Sequence, residues 1–346
     1  MAPSMTSTTR IRTGRRIAAV AAAIFAVVSL APSAPAGADP RPEHQPQQPQ
    51  PGSGSETPAQ GYTGGGQGYR LDDGRFRQIA VPGATGTLPF GNNNRGQIVG
   101  FYDDASGRTH GFLWDRGRFR TIDAPRASGI TPEGFSGSGA FDINDRGQIV
   151  GAYVGRDDRV HGYLWDRGRF RTIDAPGATD SNVFGINNRG QMTLQASSPD
   201  ELSLNFLLDD GEFTRIEVSG AEFTLVHKID NRGQVVGVYI RDGVQYGFTL
   251  NRGRYRTVEF RGADATGLNA SNGRGQIVGY YIDGDLADPN AVVHGAVLDR
   301  GRLRLFDTPG PSGGQAATSA YDVNDRGQIV GGRLPQAAAA AAAAAS

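Results

Sequence analysis

One short pattern, Arg-Gly-Gln, recurs six times along this chain and is clearest within residues 141–153, FDINDRGQIVGAY. Its arginines are Arg95, Arg146, Arg189, Arg232, Arg274 and Arg326, at intervals of 51, 43, 43, 42 and 52 residues. A second pattern, Asp/Asn-x-Gly followed by Arg or Glu, runs out of phase with the first. Its glycines are Gly74, Gly117, Gly168, Gly211, Gly253 and Gly301. A period near 43 residues is typical of a repeat architecture.

Both patterns are predicted to be tight turns between β-strands. In Asn144–Gly147 the Asn comes first and the Gly last, which favours a type I turn with Gly in the left-handed region. The turn at Asp166–Gly168 is predicted to share this chemistry. The flanking runs, such as QIVGAY and HGYLW, are β-prone and lack a helical period. Four strands per repeat predict a propeller blade.

The repeats begin and end in the middle of a unit. Residues 68–82 supply only a third and a fourth strand, and residues 321–332 supply only a first and a second. We therefore predict an all-β fold over residues 67–332, a six-bladed β-propeller of four-stranded blades. A composite blade made from both chain ends closes the ring. The chain has no cysteine, so closure depends on hydrogen bonds and packing.

Residues 1–38 are predicted to be a signal peptide. Four arginines precede an apolar run at 17–30, and Ala36-Gly37-Ala38 offers a cleavage site near Ala38. Because this run is too short for a membrane span, we expect a secreted protein with no span after cleavage. The Arg15-Arg16 pair leaves twin-arginine export open beside the general secretory route.

Two further segments are predicted to be disordered. Residues 39–66 form a Pro-, Gln- and Gly-rich linker, which has too little apolar surface to fold. Residues 333–346 form a poly-Ala tail with nothing to pack against. Removing the signal peptide leaves 31 basic and 35 acidic side chains, of which one is a lysine. This balance argues against a nucleic-acid partner.

The connections opposite the tight turns vary most between repeats, and variable loops are where scaffolds usually bind. The candidate ligand-binding residues are His110, His161, His294, Tyr246, Glu133 and Phe135. The three histidines occupy equivalent positions, which Gln67, Leu204 and Tyr246 fill in the other repeats. They either act as metal ligands or bases, or cap the junction between loop and strand. The second interpretation is favoured because the third strand lies far from the axis.

No metal, cofactor or catalytic residue is predicted. The stretch DINDRG at Asp142 resembles the start of integrin-type calcium-binding repeats. Arg stands directly before the Gly in every copy, however, and a cation cannot ligate calcium.

The stretches HGFLW at His110, HGYLW at His161 and HGAVL at His294, each near an INxxGQIVG-like run, resemble the HAF repeat of predicted bacterial extracellular proteins. Gly replaces the Ala of the name-giving triplet here. The resemblance covers nearly all of residues 67–332. It implies an exported β-repeat protein and implies no activity.

From these features we predict an exported, monomeric, non-catalytic binding or scaffold propeller. Its loop face is expected to bind a glycan, a wall polymer or a protein. The alternative is an extracellular lyase or hydrolase acting on a sugar or cyclic peptide at the propeller axis. A deep axial pocket with a strongly shifted pKa favours the enzyme, whereas a plugged channel favours the binding protein.

Overall fold

The computed structural model describes residues 67–129, 136–284, 291–309 and 317–334. These residues contain twenty-four β-strands and no α-helix. Within the same ranges, no helical segment has the length and apolarity that a membrane crossing requires. The predicted signal peptide and linker, and residues 335–346 of the predicted tail, lie outside the described residues.

The strands form antiparallel groups of four, called units below. The first two strands are β1 (Gln67–Asp72) and β2 (Arg75–Ile79). Unit 1 contains β3 (Gly86–Asn92), β4 (Ile98–Asp103), β5 (Thr109–Asp115) and β6 (Arg118–Thr121). Unit 2 contains β7 (Ser138–Ile143), β8 (Ile149–Val154), β9 (Val160–Asp166) and β10 (Arg169–Ile173). Unit 3 contains β11 (Asp180–Ile186), β12 (Met192–Ser197), β13 (Leu204–Asp209) and β14 (Glu212–Arg215).

The later strands continue the same order. Unit 4 contains β15 (Phe223–Ile229), β16 (Val235–Arg241), β17 (Val244–Asn251) and β18 (Arg254–Val258). Unit 5 contains β19 (Ala265–Ser271), β20 (Ile277–Asp283), β21 (Val292–Asp299) and β22 (Arg302–Phe306). The last strands are β23 (Ala317–Val323) and β24 (Ile329–Leu334), which form the closing unit with β1 and β2. Strands β1 and β24 are antiparallel neighbours, so both ends of the described chain share one unit.

The predicted all-β propeller is confirmed, while the sheet count differs from the predicted six. Four units are separate four-stranded sheets, and the closing unit and unit 1 form one eight-stranded sheet. The link is a single parallel pair, Gln67 with Thr87. The first strands β3, β7, β11, β15, β19 and β23 contact one another in a closed cycle, which places them around the axis.

The two tight turns differ in backbone conformation. In the Arg-Gly-Gln turns only the glycine has positive φ, as predicted; Gly147, for example, has φ 81°. In the second turn both central residues are left-handed, as at Arg167 (φ 49°) and Gly168 (φ 85°). The prediction of shared chemistry was therefore wrong. A two-residue hairpin loop follows strand twist best as a type I′ turn, which needs two positive φ values.

Both turns lie on one face, called the turn face below. The Gln of the first turn donates from Nε2 to the Asp that opens the second turn, as from Gln148 to Asp166 at 3.2 Å. The variable connections therefore lie at the opposite ends of the strands, on what is called the loop face.

The buried Asn of the Arg-Gly-Gln turn links neighbouring units. Asn144 Oδ1 accepts from the N–H groups of Arg146 and Gln148, and its Nδ2 donates to the carbonyl of Asn187 in unit 3. The same link recurs from Asn93, Asn187, Asn272 and Asn324, and the last of these reaches the carbonyl of Asn93. In unit 4 this Asn is replaced by Asp230, and there the side chain of Arg232 donates to the carbonyl of Asn272 instead. These hydrogen bonds run around the whole cycle.

A glycine recurs in the second strand of most units, and its close contact is with the first strand of the same unit. A Cβ at Gly151 would lie 2.0 Å from the carbonyl oxygen of Gly139 on the paired first strand. The missing side chain therefore lets the first and second strands of one unit pair closely. Leu194, which replaces it in unit 3, faces no gap, because it is fully buried in a core cluster with Phe206.

Candidate functional site

The first strands converge on the only lysine of the chain. Lys228 lies on β15, and its side chain is 4% exposed. Its Nζ lies 2.7 Å from the carbonyl oxygen of Phe90, 3.2 Å from Asp142 Oδ1 and 3.1 Å from Asp322 Oδ2. These three partners belong to β3, β7 and β23. One ammonium group therefore contacts three other units across the axis.

The two axial carboxylates also bind backbone N–H groups of the next unit. Asp142 accepts from the N–H of Ile186 in unit 3, at 2.8 Å. Asp322 accepts from the N–H of Asn92 in unit 1, also at 2.8 Å. Each further accepts from the N–H of the residue that follows it. The carboxylates therefore bind adjacent units together, and we assign the group Asp142–Lys228–Asp322, called the axial triad below, a structural role.

Two axial groups nevertheless have strongly shifted pKa values. Burial raises the pKa of Asp142 to about 6, although the positive charge of Lys228 opposes the rise. Burial lowers the pKa of His227 to about 4, and its Nδ1 lies 2.7 Å from the carbonyl oxygen of Leu268. A strongly shifted pKa is one of the two features that would favour an enzyme, and the axis has it.

The second condition, an accessible axial pocket, is not met in the described residues. The pocket over Lys228 on the turn face has about 50 Å³, which suits a few water molecules. Toward the loop face, stacked aromatic rings fill the axis. Phe90 and Tyr321 stack at 4.7 Å, and Phe141 and Phe184 stack at 5.0 Å. Small-molecule sites usually need about 300 to 1,000 Å³, so this pocket is too small for a sugar ring.

The predicted site histidines lie at the loop-face end of the third strand. In unit 1, His110 Nδ1 lies 2.7 Å from Asp123 and Nε2 lies 3.2 Å from Asp104. Its ring stacks on Tyr102 at 5.1 Å. Because both ring nitrogens face carboxylates, the protonated imidazolium is the form that satisfies both contacts. The hydrogen bond with Asp123 raises the pKa of His110, burial partly opposes this, and Asp104 raises the pKa further.

Unit 2 repeats this arrangement beside an open pocket. His161 Nδ1 lies 2.9 Å from Asp174, Nε2 lies 3.1 Å from Asp157, and the ring stacks on Tyr153 at 5.3 Å. Burial lowers the pKa of His161, but the hydrogen bonds with Asp174 and Asp157 outweigh it, and the pKa is raised overall. The adjacent pocket has about 680 Å³ and is lined in part by Arg126 and Arg156.

The equivalent positions elsewhere vary. His294 in unit 5 lies 2.9 Å from Asp307, and Tyr246 in unit 4 stacks on Tyr239 at 5.3 Å. Glu133 and Phe135 lie outside the described residues. The three histidines belong to three different sheets. Across the described ranges, no set of three or more His, Cys, Asp or Glu side chains is placed to hold a metal ion. The hydrogen bonds of His110 and His161 to adjacent loop residues are those that capping of the junction between loop and strand requires, and their role in ligand binding stays a prediction.

A substitution beside His110 tests the two-carboxylate arrangement. Asp104→Asn is expected to lower the pKa of His110, because the carboxylate at Nε2 stabilises the imidazolium. In the folded protein this raised pKa contributes stability that is complete below the unfolded value near 6.5 and is lost as the pH rises through the folded value. A proton NMR titration of the imidazole measures the change. Asp200→Asn, on an exposed loop of unit 3, is the control. An unchanged His110 pKa in the Asp104 variant would rule the arrangement out.

Sequence reasoning missed two features that leave a signal in the chain. The Asp partner of each site histidine follows it by thirteen residues in all three copies. Lys228 stands at a repeat position that is otherwise small or acidic. The residues at that position are Gly91, Asp142, Gly185, Lys228, Ala270 and Asp322. Aligning the repeats would have found both.

No family model and no curated protein matches the sequence. Solved structures resemble it at low identity. AofleA from Arthrobotrys oligospora is 13% identical over 68% of this chain and 74% of that chain, with a TM-score of 0.43. A protein described as TolB from Agrobacterium tumefaciens is 13% identical over 78% of this chain and 97% of its own, with a TM-score of 0.49.

A third resemblance is to the Aleuria aurantia lectin, described as a six-bladed β-propeller with a novel fucose recognition mode. It is 12% identical over 72% of this chain and 95% of that chain, with a TM-score of 0.39. At these identities the resemblance concerns the fold alone.

Proposed function

We propose that this protein is an exported, non-catalytic binding or scaffold propeller, and that its loop face binds a glycan, a wall polymer or a protein. The observation that carries the proposal is the contrast in access between the two candidate regions. The pocket beside His161 on the loop face has about 680 Å³, whereas the axial pocket has about 50 Å³. Only the first has the volume of a ligand site.

We further propose that the units are six blades of one ring, with the closing unit as the composite blade. The closed cycle of six first strands supports this count, and the eight-stranded sheet is then two adjacent blades joined by one residue pair. The HAF-repeat resemblance and export through the predicted signal peptide belong to the same proposal and have their support in the sequence.

Catalysis at the axis is the second candidate, and the raised pKa of Asp142 is the observation in its favour. Against it, both oxygens of Asp142 already accept hydrogen bonds, from Ile143, Ile186 and Lys228. A substrate would have to displace contacts between units to reach this carboxylate. The axial triad is better explained by a structural role, in which it holds the units together around the axis.

Thermal unfolding of the full chain against a panel tests the proposal. The panel contains soluble wall polysaccharides, simple sugars, calcium and EDTA. A ligand at a hundred times its dissociation constant adds about 2.7 kcal/mol of stability, which raises the melting temperature measurably. We expect a polysaccharide to produce such a shift without being cleaved. New reducing ends during the incubation would contradict the non-catalytic assignment, and a fall with EDTA would contradict the prediction that the protein has no metal site.

A further inference from the structure

We propose that the pocket beside His161 binds an acidic sugar, with Arg126 and Arg156 holding the sugar carboxylate. This inference rests on the loop-face binding proposed above and adds the chemical class of the ligand. Unit 2 departs from the other units of the same chain at two positions of this pocket.

Arg126 replaces a glycine. Four other described repeats have Gly at this place, with φ between 73° and 88°: Gly83, Gly177, Gly220 and Gly262. Arg126 is not left-handed, yet its turn keeps the same hydrogen bond, from the N–H of Ala127 to the carbonyl of Ala124 at 3.0 Å. The turn therefore does not require an arginine, and the side chain adds a positive charge that the other repeats lack.

Arg156 is the second departure. It lies in the hairpin between β8 and β9, and the matching position in the unit 1 hairpin is Ala105. Among the described residues, neither Arg126 nor Arg156 has a side-chain hydrogen bond or ion pair, and both are exposed. Two guanidinium groups that line one pocket without partners suit a carboxylate, which guanidinium binds through paired N–H groups.

The rest of the pocket favours a hydroxylated ring over a peptide. Asp157 and Asp174, beside His161, offer acceptor oxygens, and the exposed Thr172 pairs its hydroxyl with that of Tyr153 at 3.0 Å. Such groups bind sugar hydroxyls. The one tyrosine of the lining, Tyr153, is 6% exposed, so the pocket presents no open aromatic ring to an apolar peptide side chain. With His161 protonated, three cations face two carboxylates, and the pocket has a net charge of one positive unit.

Calorimetric titration of the full chain tests this inference. The probes are an oligogalacturonate and a neutral galacto-oligosaccharide of equal length. We expect the acidic probe to bind more tightly, and Arg126→Gly and Arg156→Ala each to weaken it about 10- to 100-fold, the usual effect of losing a charged hydrogen bond. Arg159→Ala removes the same charge from the same hairpin outside the pocket and should leave the affinity unchanged. Thermal unfolding of each variant confirms that it folds.

The possible failures are distinguishable. Equal binding of the acidic and neutral probes would overturn the inference while loop-face binding stands. If the oligogalacturonate still binds after both arginine substitutions, its site lies elsewhere and the inference is overturned. Poly-glutamate binding as tightly as the oligogalacturonate would overturn the choice of a sugar. If neither probe binds, the inference fails, and the wider polysaccharide panel decides the proposed function separately.

Discussion

Lys228→Met is expected to destabilise the fold by about 3 to 5 kcal/mol, the usual cost of removing one partner of a buried ionic group. Lys228 contacts two buried carboxylates from different units, and without it Asp142 and Asp322 lose this positive charge and keep only their backbone hydrogen bonds. The shift in denaturant midpoint measures the loss. Arg274→Met, on an exposed turn, is the control and should change stability by less than about 0.5 kcal/mol.

The pH dependence of the stability loss distinguishes the contribution of the Lys228 charge from that of its packing. Burial raises the pKa of Asp142 to about 6, and removing Lys228 raises it further because the lysine charge lowers it. The folded variant then holds a proton that the unfolded chain releases, so its stability rises as the pH falls. The loss caused by Lys228→Met should be smaller at pH 5 than at pH 8. Equal losses at both would show that packing, rather than charge, explains the effect.

Asn144→Ala is expected to cost about 2 to 3 kcal/mol, because buried backbone groups lose their partners. The lost bonds join Asn144 to the N–H groups of Arg146 and Gln148, at 3.0 Å, and to the carbonyl of Asn187 in the next unit, at 3.1 Å. The same denaturant titration measures the change. Since the bond to Asn187 lies between units, the variant should also lose protection from hydrogen exchange along β7 and β11.

The chain itself supplies the control for this position. Asp230 occupies the same place in unit 4, where Arg232 donates to the carbonyl of Asn272 at 3.1 Å. Asn144→Asp keeps the oxygen that accepts from the two N–H groups. Arg146, whose guanidinium donates to the carbonyl of Asn188, is then expected to turn toward the carbonyl of Asn187 and make the equivalent bridge. It should therefore cost clearly less than Asn144→Ala. Equal costs would mean that the turn hydrogen bonds of Asn144 are unimportant for stability.

The fold was accessible from the sequence because its signals are local and repeated. Each turn is specified within four or five residues, and the period near 43 residues places the strands between turns. Contacts between repeats left no local signal. Asn144 reads as an ordinary turn residue, yet its amide bonds to a carbonyl 43 residues away. The second turn was misread for a related reason, since a left-handed Arg167 is imposed by the twist of the paired strands.

The candidate site was predictable only in part. The equivalence of His110, His161 and His294 follows from the spacing, and the structure places all three at the start of the third strand of their units. One carboxylate partner of each histidine follows it by thirteen residues and could have been found by aligning the repeats. The second partner, Asp104 or Asp157, comes from the hairpin before the third strand, which varies in sequence. The role of Lys228 needs three other first strands to converge on it. In the sequence, a single lysine indicates only a positive charge. Its contacts with three other units arise only when the first strands close into a cycle.

Hydrogen–deuterium exchange of the full chain locates the bound ligand on one face of the propeller. The ligand is the panel polysaccharide that raises the melting temperature most. We expect new protection in the loop-face hairpins at 104–108 and 155–159. We expect no change in the turns that line the axial pocket, called the axial mouth, at Asn94, Asp145 and Asp325. Protection at the axial mouth with unchanged loop-face hairpins would contradict loop-face binding and would place the binding site at the axis.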